Sequence, residues 1–299
     1  MKMIAINRQQ RGLLLAIASV ACAGLLSALS KWYGDRYSSL QLLFLRTGVG
    51  FLLWMPVLWA RGGPNMLKTR RLGVHLWRGL LGAGAMGLSF YLYHRLPLGT
   101  AMALTMIYPC FVALCSGWYL KQPMPKKLWW LLAVGFVGVL LVSQPQLHNG
   151  DWWLYPLALF NAFLWALARL TIRDLASTEN PITIVFYCFL VGGIFALILL
   201  LLLPGQWHPL MRADIAGLLL FCAIGVFAQL LITSALEILP AWQMGPLEYG
   251  LLLWAVLFDW WWWGQAPTLV GLAGGALIAV VGIRLLRQSH AAPPKVNVN

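Results

Sequence analysis

The sequence is poor in charge. Only eight of its 299 residues are Asp or Glu, and charged residues of both signs make up 10%, against 61% hydrophobic. Soluble globular chains carry about 25% charged residues, so a water-soluble fold is excluded. Metal and hydrolytic motifs are missing too. The five cysteines (Cys22, Cys110, Cys115, Cys188, Cys222) fall in apolar runs without Cys-x-x-Cys spacing and read as small core residues. The five histidines (His75, His94, His148, His208, His290) lie at the ends of apolar runs or between them. There is no His-Glu-x-x-His, no Gly-x-Ser-x-Gly, and no intramembrane Asp partner for Asp259. Intramembrane hydrolysis is therefore not expected, nor is any catalytic residue, metal or cofactor. No acidic ring or filter-like loop suggests a channel. No small-residue cleavage site follows the basic stretch 1–11, which is expected to lead into a first transmembrane helix and not to be removed.

What is abundant is apolar sequence. Ten runs stand at about 12–30, 39–60, 73–93, 98–120, 127–144, 152–172, 181–203, 213–235, 241–263 and 268–287. Most have the roughly twenty residues that cross a bilayer. The breaks between them are short and rich in Pro, Gly and basic residues, with no room for a soluble domain. The seventeen tryptophans cluster near run ends, as at membrane interfaces. The expected fold is an all-α polytopic membrane protein with ten transmembrane helices. Fifteen of the twenty-one Lys and Arg, Arg169 and Arg173 among them, fall on one side if the N-terminus is inside. That bias predicts both termini in the cytoplasm of a bacterial inner membrane. It also accounts for the net charge of +13 without nucleic-acid binding.

The chain reads as two halves. Leu96-Pro97 precedes Gln122 by the same interval that separates Leu239-Pro240 from Gln265, and each half closes on a glycine-rich run, Gly135 to Gly138 and Gly271 to Gly275. Five spans per half is an odd number, so the second copy is expected upside down. Residues 1–147 and 148–289 are the two repeats, and 290–299 a disordered tail. Inverted repeats place a substrate site near the midplane between them.

The stretch Met244-Gly-Pro-Leu-Glu-Tyr249 carries the strongest site signal. Gly245 and Pro246 weaken the helix where Glu248 enters apolar surroundings, about 9 Å past the inner end of its run. A carboxylate there costs at least ~2.5 kcal/mol unless it faces protein or water. Glu248 is the candidate for substrate binding and proton coupling, with Tyr249 beside it. Asp259 reads as interfacial. Arg46 enters from the opposite side, and Arg78 lies near the inner end of its run. A direct Arg46–Glu248 bridge needs tilt or a broken helix; the two can instead bracket a polar substrate. Tyr91 and Tyr93 at the end of the third run, Tyr108, and the four-apart pairs Asn161/Trp165 and Gln229/Thr233 are further candidates. For each, helix–helix hydrogen bonding is the alternative. Aromatics with amides would suit a flat or cationic metabolite.

Several stretches resemble the drug/metabolite transporter superfamily, specifically the ten-helix EamA-type transporters. They are Phe44-Leu-Arg46, Leu96 to Ala103 with Pro109, Ala228 to Ala235, Gly245 to Tyr249 with Leu253-Trp-Ala255, Gly264 to Pro267, and Leu272 to Gly282. Pro-Leu-Glu-Tyr looks closest to the branch with riboflavin and S-adenosylmethionine carriers. The sequence departs at Gln122 and Gln265, where the family usually has glutamates. The resemblance implies a single-subunit fold, a central cavity lined by both halves, and export or exchange of small organic molecules. The expected partners are a small-molecule substrate and the lipid bilayer, with a monomer or weak dimer and no nucleic acid. A flippase for lipids or lipid-linked sugars is the alternative.

Overall fold

The computed structural model describes residues 7–61, 63–96, 98–121, 125–144, 152–264, 266 and 268–288. Gln122, Gln265, the tail 290–299 and the Asp259 side chain lie outside that set. Among the described residues every regular element is helical. The helices are α1 (Arg8–Gly34), α2 (Ser39–Phe44), α3 (Gly50–Arg61), α4 (Leu72–Arg95), α5 (Leu98–Thr105), α6 (Tyr108–Tyr119), α7 (Lys126–Ser143), α8 (Leu154–Leu175), α9 (Pro181–Leu202), α10 (Ile215–Ile238), α11 (Ala241–Glu248), α12 (Gly250–Trp263) and α13 (Leu269–Gln288). In lipid the backbone has no water to bond with, so apolar runs of this length satisfy their amides internally as helices.

Among the described residues six segments are long and apolar enough to cross a bilayer: Arg8–Gly34, Ser39–Arg61, Ala101–Tyr119, Leu154–Leu175, Pro181–Leu202 and Arg212–Ile238. The other expected spans fall short for visible reasons. The apolar cores Trp129–Ser143 and Leu269–Arg284 are shorter. α4 is long but carries His75, Arg78 and Arg95. The span 241–263 is split between α11 and α12. Local chemistry sets the ends. The Ser38 hydroxyl accepts from Gln41 N at 3.1 Å and the Asn180 amide from Ile182 N at 2.9 Å, both N-caps. α10 stops just before Pro240, which cannot extend a helix whose preceding residue it forces toward extended backbone.

Three spans that read as continuous are interrupted. The second holds a π-helical turn at Leu45–Val49. The fourth breaks between Thr105 and Tyr108, and the ninth at Tyr249. Thr105 and Glu248 each lie eight residues past the proline of their half, Pro97 and Pro240, and each ends its half-helix. The packing repeats in the same way. α1 lies along α10 and α12, α8 lies along α4 and α6, and α7 pairs with α13. Matching each span with the one five further on interchanges the first two sets and returns the third to itself.

The α7–α13 pair depends on glycine. A methyl built on Gly138 would stand 2.9 Å from the Gly274 carbonyl oxygen, and one on Gly274 would stand 2.7 Å from that of Gly138. Only hydrogen fits between these backbones. Large apolar residues such as Leu114, Leu201, Leu220 and Leu272 point outward, as lipid-facing side chains do. Trp59, Trp118, Trp152 and Trp261 are exposed at helix ends in the positions of an interfacial belt.

Candidate functional site

The breaks and the π turn surround one chamber of about 160 Å³. Its walls come from α1, the π turn, α4, α5, α6, α8, α10, α11 and α12, while α7, α9 and α13 stand outside it. A π turn adds a residue to the helix and re-aims the side chains beyond it. Here it carries Arg46, which lines the chamber with Nη1 2.6 Å from Met86 Sδ.

Glu248, at the end of α11, is buried. Its Oε1 stands 2.8 Å from Arg169 Nε on α8, with side-chain exposures of 5% and 17%. Neither atom has an aligned hydrogen bond, so this is an ion pair by distance and charge, without the directional gain of a good N–H···O line. An exchangeable partner suits that geometry. The Arg169 guanidinium also lies 5.4 Å from the Trp165 ring centroid, a cation–π contact. Tyr108 lines the chamber together with both members of the pair.

α8 presents Asn161, Trp165 and Arg169 at four-residue spacing on one face. The Asn161 amide donates to Ser89 Oγ at 2.8 Å and the Trp165 indole to the same oxygen at 3.0 Å. Ser89 Oγ in turn donates to Ala85 O. This network fixes α8 against α4 and orients the Trp165 ring at the wall. Across the chamber Gln229 Nε2 donates to Thr233 Oγ1 at 3.2 Å on α10.

Of the residues expected from sequence, Glu248, Arg46, Tyr93, Tyr108, Trp165 and Gln229 meet in the chamber. Four do not line it. Thr233 is fully buried, accepting from the Gln229 amide and donating to the Gln229 carbonyl. Asn161 is fully buried behind Ser89 and acts through it. Tyr249 turns away from Glu248, with its ring seated on Gly135 of α7. Tyr91 packs toward Trp153 and Arg95, at 6.5 Å and 5.6 Å. The partner of Glu248 is Arg169 and not Arg46. Arg169, counted among the inner-side cations in the sequence, is inside the protein. Sequence reasoning also missed Ser89. The stripe that gave Asn161 and Trp165 reaches Arg169 one turn later, so that signal was present.

Beyond each end of the chamber the two halves are clasped. On one side Arg36 Nη1 pairs with Asp214 Oδ1 at 2.9 Å, the Tyr37 hydroxyl donates to Asp214 Oδ2 at 2.8 Å, and Gln41 exchanges two hydrogen bonds with the His208 backbone. On the other Arg71 Nη2 pairs with Asp174 Oδ2 at 2.5 Å, Thr69 donates to Glu179 at 2.6 Å and Thr183 to Met66 O at 2.6 Å. The first clasp joins the 1–2 connection to the 7–8 connection, and the second joins the 6–7 connection to the 2–3 connection. The same five-span matching interchanges them.

A helical membrane fold enclosing a largely apolar chamber with a buried ion pair on its wall is the architecture expected of a small-molecule carrier. The EamA-like transporter family matches the chain twice, over 10–144 and 152–288, and the chain belongs to that family. Its relatives carry several cargoes. It is 28% identical over 280 residues to the pseudopaline exporter CntI of Pseudomonas aeruginosa, covering 92% of this chain and 96% of the relative. It is 26% identical over 278 residues to a riboflavin transporter of Brucella anthropi, covering 91% and 97%. It is 23% identical over 269 residues to an S-adenosylmethionine uptake transporter of Rickettsia bellii, covering 89% and 90%. A solved crystal structure superposes with a TM-score of 0.78 at 16% identity, over 94% of this chain and 99% of that one, which supports the fold alone.

Proposed function

We propose that this protein is a secondary carrier that exports or exchanges small organic metabolites across the bacterial inner membrane by alternating access. Residues 1–147 and 148–289 rock as two oppositely oriented units, with both termini on the cytoplasmic side. One observation carries the reading: the chamber draws its wall from both halves and holds the Arg169–Glu248 pair between two matching clasps. Opening one clasp while the other holds exposes the chamber to one side at a time. Glu248 then competes with cargo for Arg169. A proton arriving at the carboxylate frees the guanidinium, and an anionic group of the cargo can take its place.

The test is transport in proteoliposomes by the parent and Glu248→Gln. The variant is expected to bind cargo with its pH dependence flattened and to exchange it more slowly. Transport equal to the parent with an unchanged pH profile refutes the role of Glu248.

A further inference from the structure

Two guanidiniums line the chamber, a third is buried on the α4 stripe that reaches it, and among the described residues one carboxylate lies at ion-pair distance from any of them. Arg46 and Arg169 line it. Arg78 continues the α4 stripe that runs through Gly82, Met86, Ser89 and Tyr93, two turns beyond Met86. Gly82 makes room for it, since a methyl group there would overlap Arg78 Nη1. Arg78 is 2% exposed, and its Nε and Nη1 have no hydrogen-bond partner among the described residues. Arg46 touches the neutral Met86 thioether, a weak acceptor. Among the described residues only Arg169 of the three has a carboxylate within ion-pair distance. Among the described residues two of the three positive charges thus stand without a carboxylate, and buried unpaired charge is strongly unfavourable.

We infer, resting on the carrier reading above, that the cargo is a small organic anion with at least two negative charges, such as a dicarboxylate or a phosphate monoester, attached to an apolar or aromatic body. Guanidinium forks match carboxylate and phosphate oxygens two at a time. Arg46 receives one charged group, Arg169 takes the other when Glu248 releases it, and the buried Arg78 adds its positive field from behind the wall. Phe90, Tyr93 and Trp165 on the wall receive the body. A chamber of this sign repels cations, contrary to what its aromatics and amides alone suggested.

The test uses the purified full chain and five probes at matched ionic strength: benzoate, phthalate, phenyl phosphate, neutral phthalamide and benzyltrimethylammonium. Thermal stabilisation should give phthalate or phenyl phosphate about tenfold tighter binding than benzoate, a difference of one decade in Kd, with no response to the amide or the cation. Arg78→Gln and Arg46→Gln should each bring the dianion-to-monoanion ratio near one, and Arg78→Lys should keep it. Equal stabilisation by the amide or cation, or an unchanged ratio in both glutamine variants, overturns the assignment. Whichever probe responds, the phosphate and carboxylate arms tell the two anion sources apart. Counterflow with fractionated small-molecule extracts separates the two readings. Uptake confined to neutral or cationic fractions refutes the dianion and leaves the carrier intact. No uptake from any fraction refutes the carrier, while a retained dianion shift still supports the site.

Discussion

Replacing Arg169 by Gln should be the most damaging single change in the chamber that leaves its volume nearly unchanged. The substitution leaves Glu248, 5% exposed, without its cation. Breaking a buried ion pair from one side costs about 3–5 kcal/mol. The lower end applies here, because the Nε–Oε1 contact of 2.8 Å lacks hydrogen-bond alignment and the chamber lies beside it. Taking about 3 kcal/mol at ~2–4 °C per kcal/mol for chains of this order of size gives a fall in melting temperature of roughly 6–12 °C. The assay is thermal unfolding in detergent, followed by tryptophan fluorescence, for Arg169→Gln, Glu248→Gln and the double variant. The double variant carries a neutral amide pair and should recover more than half of the loss, a coupling of about 2 kcal/mol. Strictly additive losses would mean that the two side chains do not interact, and the chamber chemistry built on their competition would fall with them.

Other outcomes arise from the packing and the clasps. Gly274→Ala forces a methyl to 2.7 Å from a backbone oxygen and should cost about 1–3 kcal/mol, read as lost folded yield; Gly282→Ala, with open space around it, should be silent. Asp214→Ala removes the shared acceptor of Arg36 and Tyr37. Its effect of about 1–2 kcal/mol comes mainly from the buried Tyr37 bond, since Arg36 is 48% exposed, and it should raise labelling of a cysteine at position 38 by an impermeant thiol reagent. Burial raises the Tyr37 hydroxyl above its usual 10. A raised folded value means that this contribution is intact below pH 10 and is lost only as pH climbs through the raised value, so the ratio of labelling rates with and without Asp214→Ala, taken at one pH to cancel the thiol's own ionisation, should be the same at pH 6 and 9.

The sequence revealed the all-helical membrane class because hydrophobic run length is set by bilayer thickness. It revealed Glu248 because a carboxylate in an apolar run is costly enough to need a reason. Side-chain direction was less legible where helices break or where neighbours differ by a few residues. Tyr91 and Tyr93 sit two apart on α4, which places them on opposite faces, and only Tyr93 reaches the chamber. Tyr249 follows Glu248 at the break between α11 and α12 and turns to Gly135. Arg169 was hidden by its position. It lies six residues from the end of α8, close enough to be counted with the basic inner residues, although its stripe with Asn161 and Trp165 points inward.

The matching breaks allow the charge argument to be tested from the other half of the molecule. Thr105 ends α5 where Glu248 ends α11, and it lines the same chamber with its hydroxyl turned back on Ala101 O at 2.8 Å. One half thus offers a neutral hydroxyl where the other offers a carboxylate. Thr105→Glu would bring the excess positive charge among the described residues from two to one, and Glu248→Gln would raise it to three. Both changes act at equivalent places, and neither removes a guanidinium. If chamber charge selects the cargo, the first should shift preference from phthalate toward benzoate and the second should strengthen it for phthalate. The shifts should have opposite signs and each approach a decade in relative Kd, about 1.4 kcal/mol. A shift of the same sign in both variants would mean that the breaks select by shape and that the buried arginines serve packing alone.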